Sequence, residues 1–168
     1  MYDVEVIRED FPILQRRVGE RPLVYLDSAN TSQKPRQVVD AIAEHYLTHN
    51  ANVARAMHLL GAEATAAFEG GRSKVAGFVG AARPEEIVFT KNASEALNLV
   101  AYAWGRDHVR EGDAIVLTEA EHHSNIVPWQ ILAAATGAHL RYLEVDEDGR
   151  LSLDQLDEHL ADGRARLV

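Results

Sequence analysis

The side chains with most chemistry to offer stand together in Glu119-Ala120-Glu121-His122-His123-Ser124-Asn125-Ile126-Val127-Pro128-Trp129, where two imidazoles sit beside carboxylates. A neutral imidazole can lay its flat face on a planar ring or pass a proton near neutral pH. Histidine beside carboxylate also suggests a metal ion. No HExxH or Cys/His spacing is present, and adjacent side chains point different ways, so no metal ligand is expected. The plainest alternative leaves His122 and His123 as surface loop residues without a task.

A second stretch, Thr90-Lys91-Asn92-Ala93-Ser94-Glu95-Ala96-Leu97-Asn98, asks for an anion. Asn92 is placed to cap a helix and Glu95, three residues on, completes a capping-box pair. The backbone N–H groups of Ala93 and Ser94 then lie at the positive end of the helix dipole, with a hydroxyl beside them, which suits a phosphate oxyanion. Read alone, Asn92 and Ser94 need only cap a helix. There is no GxxxxGK[ST] and no GxGxxG, so neither an ATP site nor a dinucleotide site has a motif. One turn for a phosphate and the next for a planar ring together describe pyridoxal 5'-phosphate (PLP).

Both turns depend on the elements that flank them. Glu86-Ile87-Val88-Phe89-Thr90 and Ala114-Ile115-Val116-Leu117 are predicted strands, with helices from Ala93 to Trp104 and from Ile126 to Ala135. A strand over Leu140–Val145 and a helix over Leu153–Leu160 follow. Arg166-Leu167-Val168 looks like a strand just starting, so Val168 reads as an interruption of a longer chain. Upstream, a short helical start breaks at Phe11-Pro12, and Leu23-Val24-Tyr25-Leu26 reads as a strand. Pro35 opens a helix to about His49, with His45 and His49 an exposed or packed pair, and a long helix runs from Leu60 to Val79. Alternating strands and helices of these lengths predict an α/β fold, a mostly parallel sheet flanked by helices, with ligands outside the carboxyl ends of its strands.

Composition narrows the classes. A net charge of −9 over 168 residues, with no Lys/Arg run, gives no nucleic-acid face. The absence of cysteine removes disulfides, thiolate metal sites and a cysteine nucleophile from this chain. The acidic start Met1-Tyr2-Asp3-Val4-Glu5 has no signal-peptide core and no apolar run spans a bilayer, so a cytoplasmic protein is expected.

Tyr25-Leu26-Asp27-Ser28-Ala29, Gln33-Lys34-Pro35, Glu95-Ala96-Leu97-Asn98-Leu99-Val100 and Glu121-His122-His123-Ser124-Asn125-Ile126-Val127-Pro128-Trp129 resemble the group II cysteine desulfurases of SUF-type iron–sulfur assembly, within the class V aminotransferase superfamily. The resemblance runs in family order from about Ile7 to Val168 and covers an N-terminal part. It implies a fold-type-I PLP-dependent transferase, with residues 1–20 an N-terminal arm and 21–168 an incomplete large domain cut before the lysine that carries the cofactor. It implies L-cysteine as substrate, a sulfur-acceptor protein as partner and a homodimer. By position, His122 stacks on the cofactor ring and assists proton transfer, Ser94 with the N–H of Ala93 holds the phosphate, and Ala29 and Arg55 lie on the substrate side. The Arg55 loop departs from the family's HRGxH, reading Ala54-Arg55-Ala56-Met57-His58, and the phosphate turn has one hydroxyl where relatives often have two. Selenocysteine lyase is a sister reading on the same scaffold. From another class, the chain is a non-catalytic fragment or scaffold, because the lysine and the cysteine cannot be placed in it.

Overall fold

The computed structural model describes residues 2–168, which divide into two compact units, one ending at Ile87 and the other starting at Val88. In the first unit, helix α1 (Val4–Glu9) begins at Asp3, whose carboxylate accepts from the N–H groups of Glu5 and Val6. It stops where Phe11 precedes Pro12, and a 3-10 turn (Pro12–Gln15) leads to a two-residue hairpin of β1 (Arg17–Val18) and β2 (Arg21–Pro22). Helix α2 (Arg36–Thr48) starts after Pro35 and is tied to the end of α1, since Arg36 N–H donates to the Asp10 carbonyl at 2.7 Å and Gln37 to its carboxylate at 2.7 Å. Helix α3 (Leu59–Val79) is capped by His58, whose Nδ1 accepts from Gly61 N–H at 3.2 Å.

Two predicted strands are absent from the described residues. Leu23–Leu26 makes a single cross-chain backbone bond, Leu23 N–H to the Arg16 carbonyl at 2.9 Å beyond the β1–β2 hairpin, and no ladder, with Leu26 91% exposed. Glu86–Thr90 begins as the end of a 3-10 turn (Pro84–Glu86) and continues without strand pairing. Apolar, β-branched residues suit a pleated surface, but a strand exists only where a neighbour supplies the ladder. Neither segment has one here.

The second unit carries the sheet. Helix α4 (Ala93–Leu99) runs without a break through a π-helical segment (Val100–Gly105) into α5 (Arg106–His108). The wide turn ends at Gly105, where a Cβ would sit 2.5 Å from Cδ2 of Leu132, so any larger residue there would push that side chain aside. Strand β3 (Ala114–Thr118) is a continuous apolar run buried on both faces, as a central parallel strand must be. Helix α6 (Val127–Thr136), with Pro128 in its first turn and left-handed Gly137 closing it, returns the chain to β4 (His139–Leu143). Helix α7 (Leu153–Leu160) leads to β5 (Ala165–Leu167). Both β4 and β5 pair parallel with β3, giving the order β4-β3-β5. The core beneath is Ala101, Val109, Ile115, Leu117, Trp129 and Leu132. This is the α/β architecture the alternation predicts: β3, α6, β4, α7 and β5 lie within two residues of their predicted bounds, while the helix predicted to end at Trp104 runs on to His108. No helix among the described residues is long and apolar enough to cross a membrane.

Candidate active site

From β3 the chain crosses through α6 to one neighbour and then, through α7, to the other side of β3. Strand order reverses there, and the crevice outside the carboxyl ends of such strands is where open α/β sheets bind ligands. A cleft of about 360 Å³ lies at that edge, apolar along Leu97, Leu117, Leu143 and Leu167 and edged by Thr118, Glu121 and Asn125.

The loop after β3 carries the histidines. His122 caps a 3-10 turn (His123–Asn125), and its Nδ1 accepts from Ser124 N–H at 3.1 Å with the Ser124 hydroxyl at 2.9 Å. A backbone N–H can only donate, so Nδ1 is an acceptor and the neutral ring carries its proton on Nε2. The ring is exposed and does not line the apolar cleft. His123 stands edge-on, 6.3 Å away at 78°, pointing elsewhere as adjacent positions require.

Glu121, Asn125 and Trp129 form a hydrogen-bonded chain through this loop. Glu121 accepts from the Thr118 hydroxyl at 3.2 Å and from Asn125 Nδ2 at 2.8 Å, while Asn125 Oδ1 accepts from the indole N–H of buried Trp129 at 2.8 Å. Sequence reading saw these residues only as the setting of the histidines. Their side chains meet across a loop, a 3-10 turn and the first turns of α6, so the repeat of four in 121-125-129 belongs to no single helix.

The other turn has the N-cap its pattern predicts, but the return bond of the capping box goes one residue earlier, to Lys91. Asn92 Oδ1 accepts from Glu95 N–H at 2.9 Å, and the Glu95 carboxylate accepts from Lys91 N–H at 2.6 Å. With Glu95 N–H taken by the cap, the first helical N–H groups, those of Ala93 and Ser94, have no carbonyl four residues back within the helix. Both residues are exposed, and the Ser94 hydroxyl makes no hydrogen bond among the described residues. Helix α4 packs against the 3-10 turn that follows His122, so Ala93, Ser94 and His122 belong to neighbouring turns of one unit.

Ala29 and Arg55 belong to the first unit. Ala29 lies in a polar turn where Asn30 and Thr31 N–H groups donate to the Asp27 carbonyl, each at 3.2 Å. Arg55 and Ala54 have left-handed backbone at φ 55° and 60°, which costs strain in residues with a Cβ. Ala54 N–H is held by the Thr65 hydroxyl at 2.9 Å and the Ala56 methyl packs on Gly61, where an added Cβ would come within 2.1 Å. His45 and His49 stand edge-on at 4.9 Å, and no group of three metal-ligating side chains occurs among the described residues. Strong pKa shifts fall outside these turns. The Arg141 guanidinium and Arg164 N–H hold the Asp162 carboxyl down at about 2, and Arg110 N–H with Arg166 lowers that of Asp113.

The donor set fits the phosphate of PLP: two exposed helix-start N–H groups and a hydroxyl, with the nearest carboxylate, that of Glu95, turned back to Lys91. An exposed imidazole with a fixed tautomer fits a planar ring.

Comparison with known proteins bears on the family and the fold. Residues 24–168 match the aminotransferase class-V family. A protein of Streptomyces coelicolor named "Probable cysteine desulfurase" is 56% identical over 163 residues, covering 94% of this chain and 39% of its own. The apo structure of a cysteine desulfurase from Thermococcus onnurineus superposes with a TM-score of 0.82 at 43% identity, covering 95% of this chain and 38% of that one. A more distant neighbour, 23% identical with a TM-score of 0.73, shares the fold and was solved with glycine covalently linked to its PLP cofactor. The chain spans about two fifths of the length of each of these three proteins. Over that span, by sequence and by fold, it belongs to the class-V aminotransferase family.

Proposed function

We propose that the full-length protein is a PLP-dependent cysteine desulfurase of the SUF type, working in the cytoplasm as a homodimer. It breaks the Cβ–Sγ bond of L-cysteine, passes the sulfur to a thiolate as a persulfide, and returns a proton to Cβ to give L-alanine. PLP, when bound, supplies the electron sink for that cleavage. Residues 21–168 contribute part of its large domain and residues 1–20 an arm. Ser94, with the N–H groups of Ala93 and Ser94, holds the phosphate. His122 stacks on the ring and holds or moves a proton at Nε2, while Ala29 and Arg55 serve the substrate side. The lysine that carries the cofactor and the accepting cysteine belong to the part of the protein not spanned here, since this chain contains no cysteine. The sulfur then goes to an acceptor protein of iron–sulfur assembly.

The observation that carries this reading is the adjacency of a phosphate-type helix start at Ala93–Ser94 and a tautomer-fixed imidazole at His122, in relatives of desulfurases. The test is alanine and sulfide formation from L-cysteine by the full-length, PLP-loaded protein. His122→Ala is expected to lower turnover by about 10²–10⁴-fold, the usual worth of a positioned acid–base group, with the fold intact by circular dichroism. Unchanged turnover removes His122 from the chemistry. Activity on L-selenocysteine with none on L-cysteine moves the assignment to a lyase of that substrate.

A further inference from the structure

His122 needs more than a place on a loop, because a proton-transfer group works only when its ring is held in one geometry. The turn that carries it is built from side chains whose hydrogen-bonding directions admit one arrangement. The indole of Trp129 is donor only, so it fixes Asn125 Oδ1 as the acceptor at 2.8 Å. The amide nitrogen of Asn125 must then point to Glu121, whose ionised carboxylate is acceptor only, at 2.8 Å. The second Glu121 oxygen takes the hydroxyl of Thr118, the last residue of β3, at 3.2 Å. Strand end, loop and α6 are thereby joined across the residues that include His122. The backbone closes the same loop, as Asn125 N–H donates to the His122 carbonyl at 2.7 Å. The contact that sets the tautomer, Ser124 N–H to His122 Nδ1 at 3.1 Å, exists only while this turn keeps its shape.

We infer that Glu121 is a positioning residue for His122: by tying Thr118 to Asn125 it holds the turn in which the imidazole keeps its proton on Nε2. A carboxylate suits the task because two donors converge on it from opposite sides. Removing it leaves Asn125 Nδ2 and the Thr118 hydroxyl without their acceptor in a partly buried place. Glutamine can replace it at the cost of the charge, its oxygen accepting from Asn125 and its amide donating to a rotated Thr118 hydroxyl. This inference rests on the proposed role of His122 for its effect on turnover, but not for its effect on the ring.

The experiment uses the full-length protein and two readouts, the side-chain nitrogen chemical shifts of His122 in the cofactor-free state and steady-state kinetics with PLP and L-cysteine. In Glu121→Ala the shifts should move from a single Nε2-H tautomer toward a mixture. The kcat should fall about tenfold to a hundredfold with KM within about threefold, as for a catalytic group misplaced by an ångström or so. Glu121→Gln should recover both to within about threefold. The double variant Glu121→Ala/His122→Ala should be no slower than His122→Ala, because Glu121 acts through the imidazole. A folded Glu121→Ala protein with wild-type shifts and turnover within twofold overturns the inference, as does a full additional loss on top of His122→Ala. If Glu121→Ala does not fold, Thr118→Val cuts the strand-end link alone, and the same shift change in weaker form supports the inference where none overturns it. A His122→Ala protein of normal activity removes His122 from the chemistry, while a tautomer change in Glu121→Ala still stands on its own.

Discussion

Replacing Asn92 by aspartate separates the two tasks of the helix start, capping and anion binding. The cap itself should survive. Aspartate ranks with asparagine as an N-cap, its carboxylate can accept from Glu95 N–H where Asn92 Oδ1 now does at 2.9 Å, and its charge favours the helix dipole by about 0.3–1 kcal/mol. Repulsion from the Glu95 carboxylate offsets part of that gain, so cofactor-free stability should change by less than about 1 kcal/mol. Phosphate binding should suffer. A phosphate oxygen on the N–H of Ala93 or Ser94 would lie two hydrogen-bond lengths, roughly 6 Å, from the new carboxylate. A unit charge against a phosphate of about −2 at that distance in water costs about 1.4 kcal/mol, a tenfold loss of affinity. The assay is a fluorescence titration of the full-length apoprotein with PLP at low and high salt, beside thermal unfolding without cofactor. At 1 M salt the screening length falls to about 3 Å and most of the loss should vanish. Unchanged or tighter binding with an intact cap would mean that the phosphate sits elsewhere, and a loss indifferent to salt would mean that the turn itself had been damaged.

Acid stability should depend on Asp162. Its folded carboxyl lies at about 2, below the ordinary 3.8, chiefly through its hydrogen bond to Arg141, so the contribution is fully present above about pH 4 and lost as pH falls toward 2. Denaturant midpoints of the wild type and of Asp162→Asn should therefore differ at pH 5 and converge by pH 2; a constant difference would refute the assignment. Gly61→Ala should lower the unfolding free energy by about 1–2 kcal/mol, and with it the unfolding midpoint, because the clash with Ala56 at 2.1 Å outweighs the roughly 1 kcal/mol that alanine contributes in a helix. A raised midpoint would show that the loop bearing Arg55 yields freely.

The sequence was most legible where local chemistry and packing agree. Strand β3 reads as an unbroken apolar run and is buried on both faces, α7 stands where its pattern puts it to the residue, and Asn92 caps Glu95 N–H as its spacing announces, although the Glu95 carboxylate returns to Lys91 N–H and not to that of Asn92. It was least legible where a segment depends on something distant. Val24 and Val88 stand in runs with strand propensity, yet they are 75% and 65% exposed with no ladder partner among the described residues, because pairing is a property of two segments and propensity of one. The π segment at Val100–Gly105 gave a weaker signal still, since only the contact with Leu132 explains why Gly105 ends it.

The His122 turn shows why residue type and residue task part company at a site. Histidine announces its chemistry in a sequence, and an eye searching for acids and bases stops on His122 and His123 and counts Glu121 as a third titrating group. The structure gives Glu121 a different character, because both its oxygens are occupied by donors from Thr118 and Asn125. A carboxylate so engaged is well placed to hold a shape. The histidines, by contrast, are exposed, with one nitrogen of His122 anchored and the other turned outward. Exposure, which in the sequence argued for a loop residue without a task, becomes the condition of use once the far side of the ring is fixed. With His123 turned aside, a single imidazole is held by Ser124 N–H on a turn that Glu121 and Asn125 tie together.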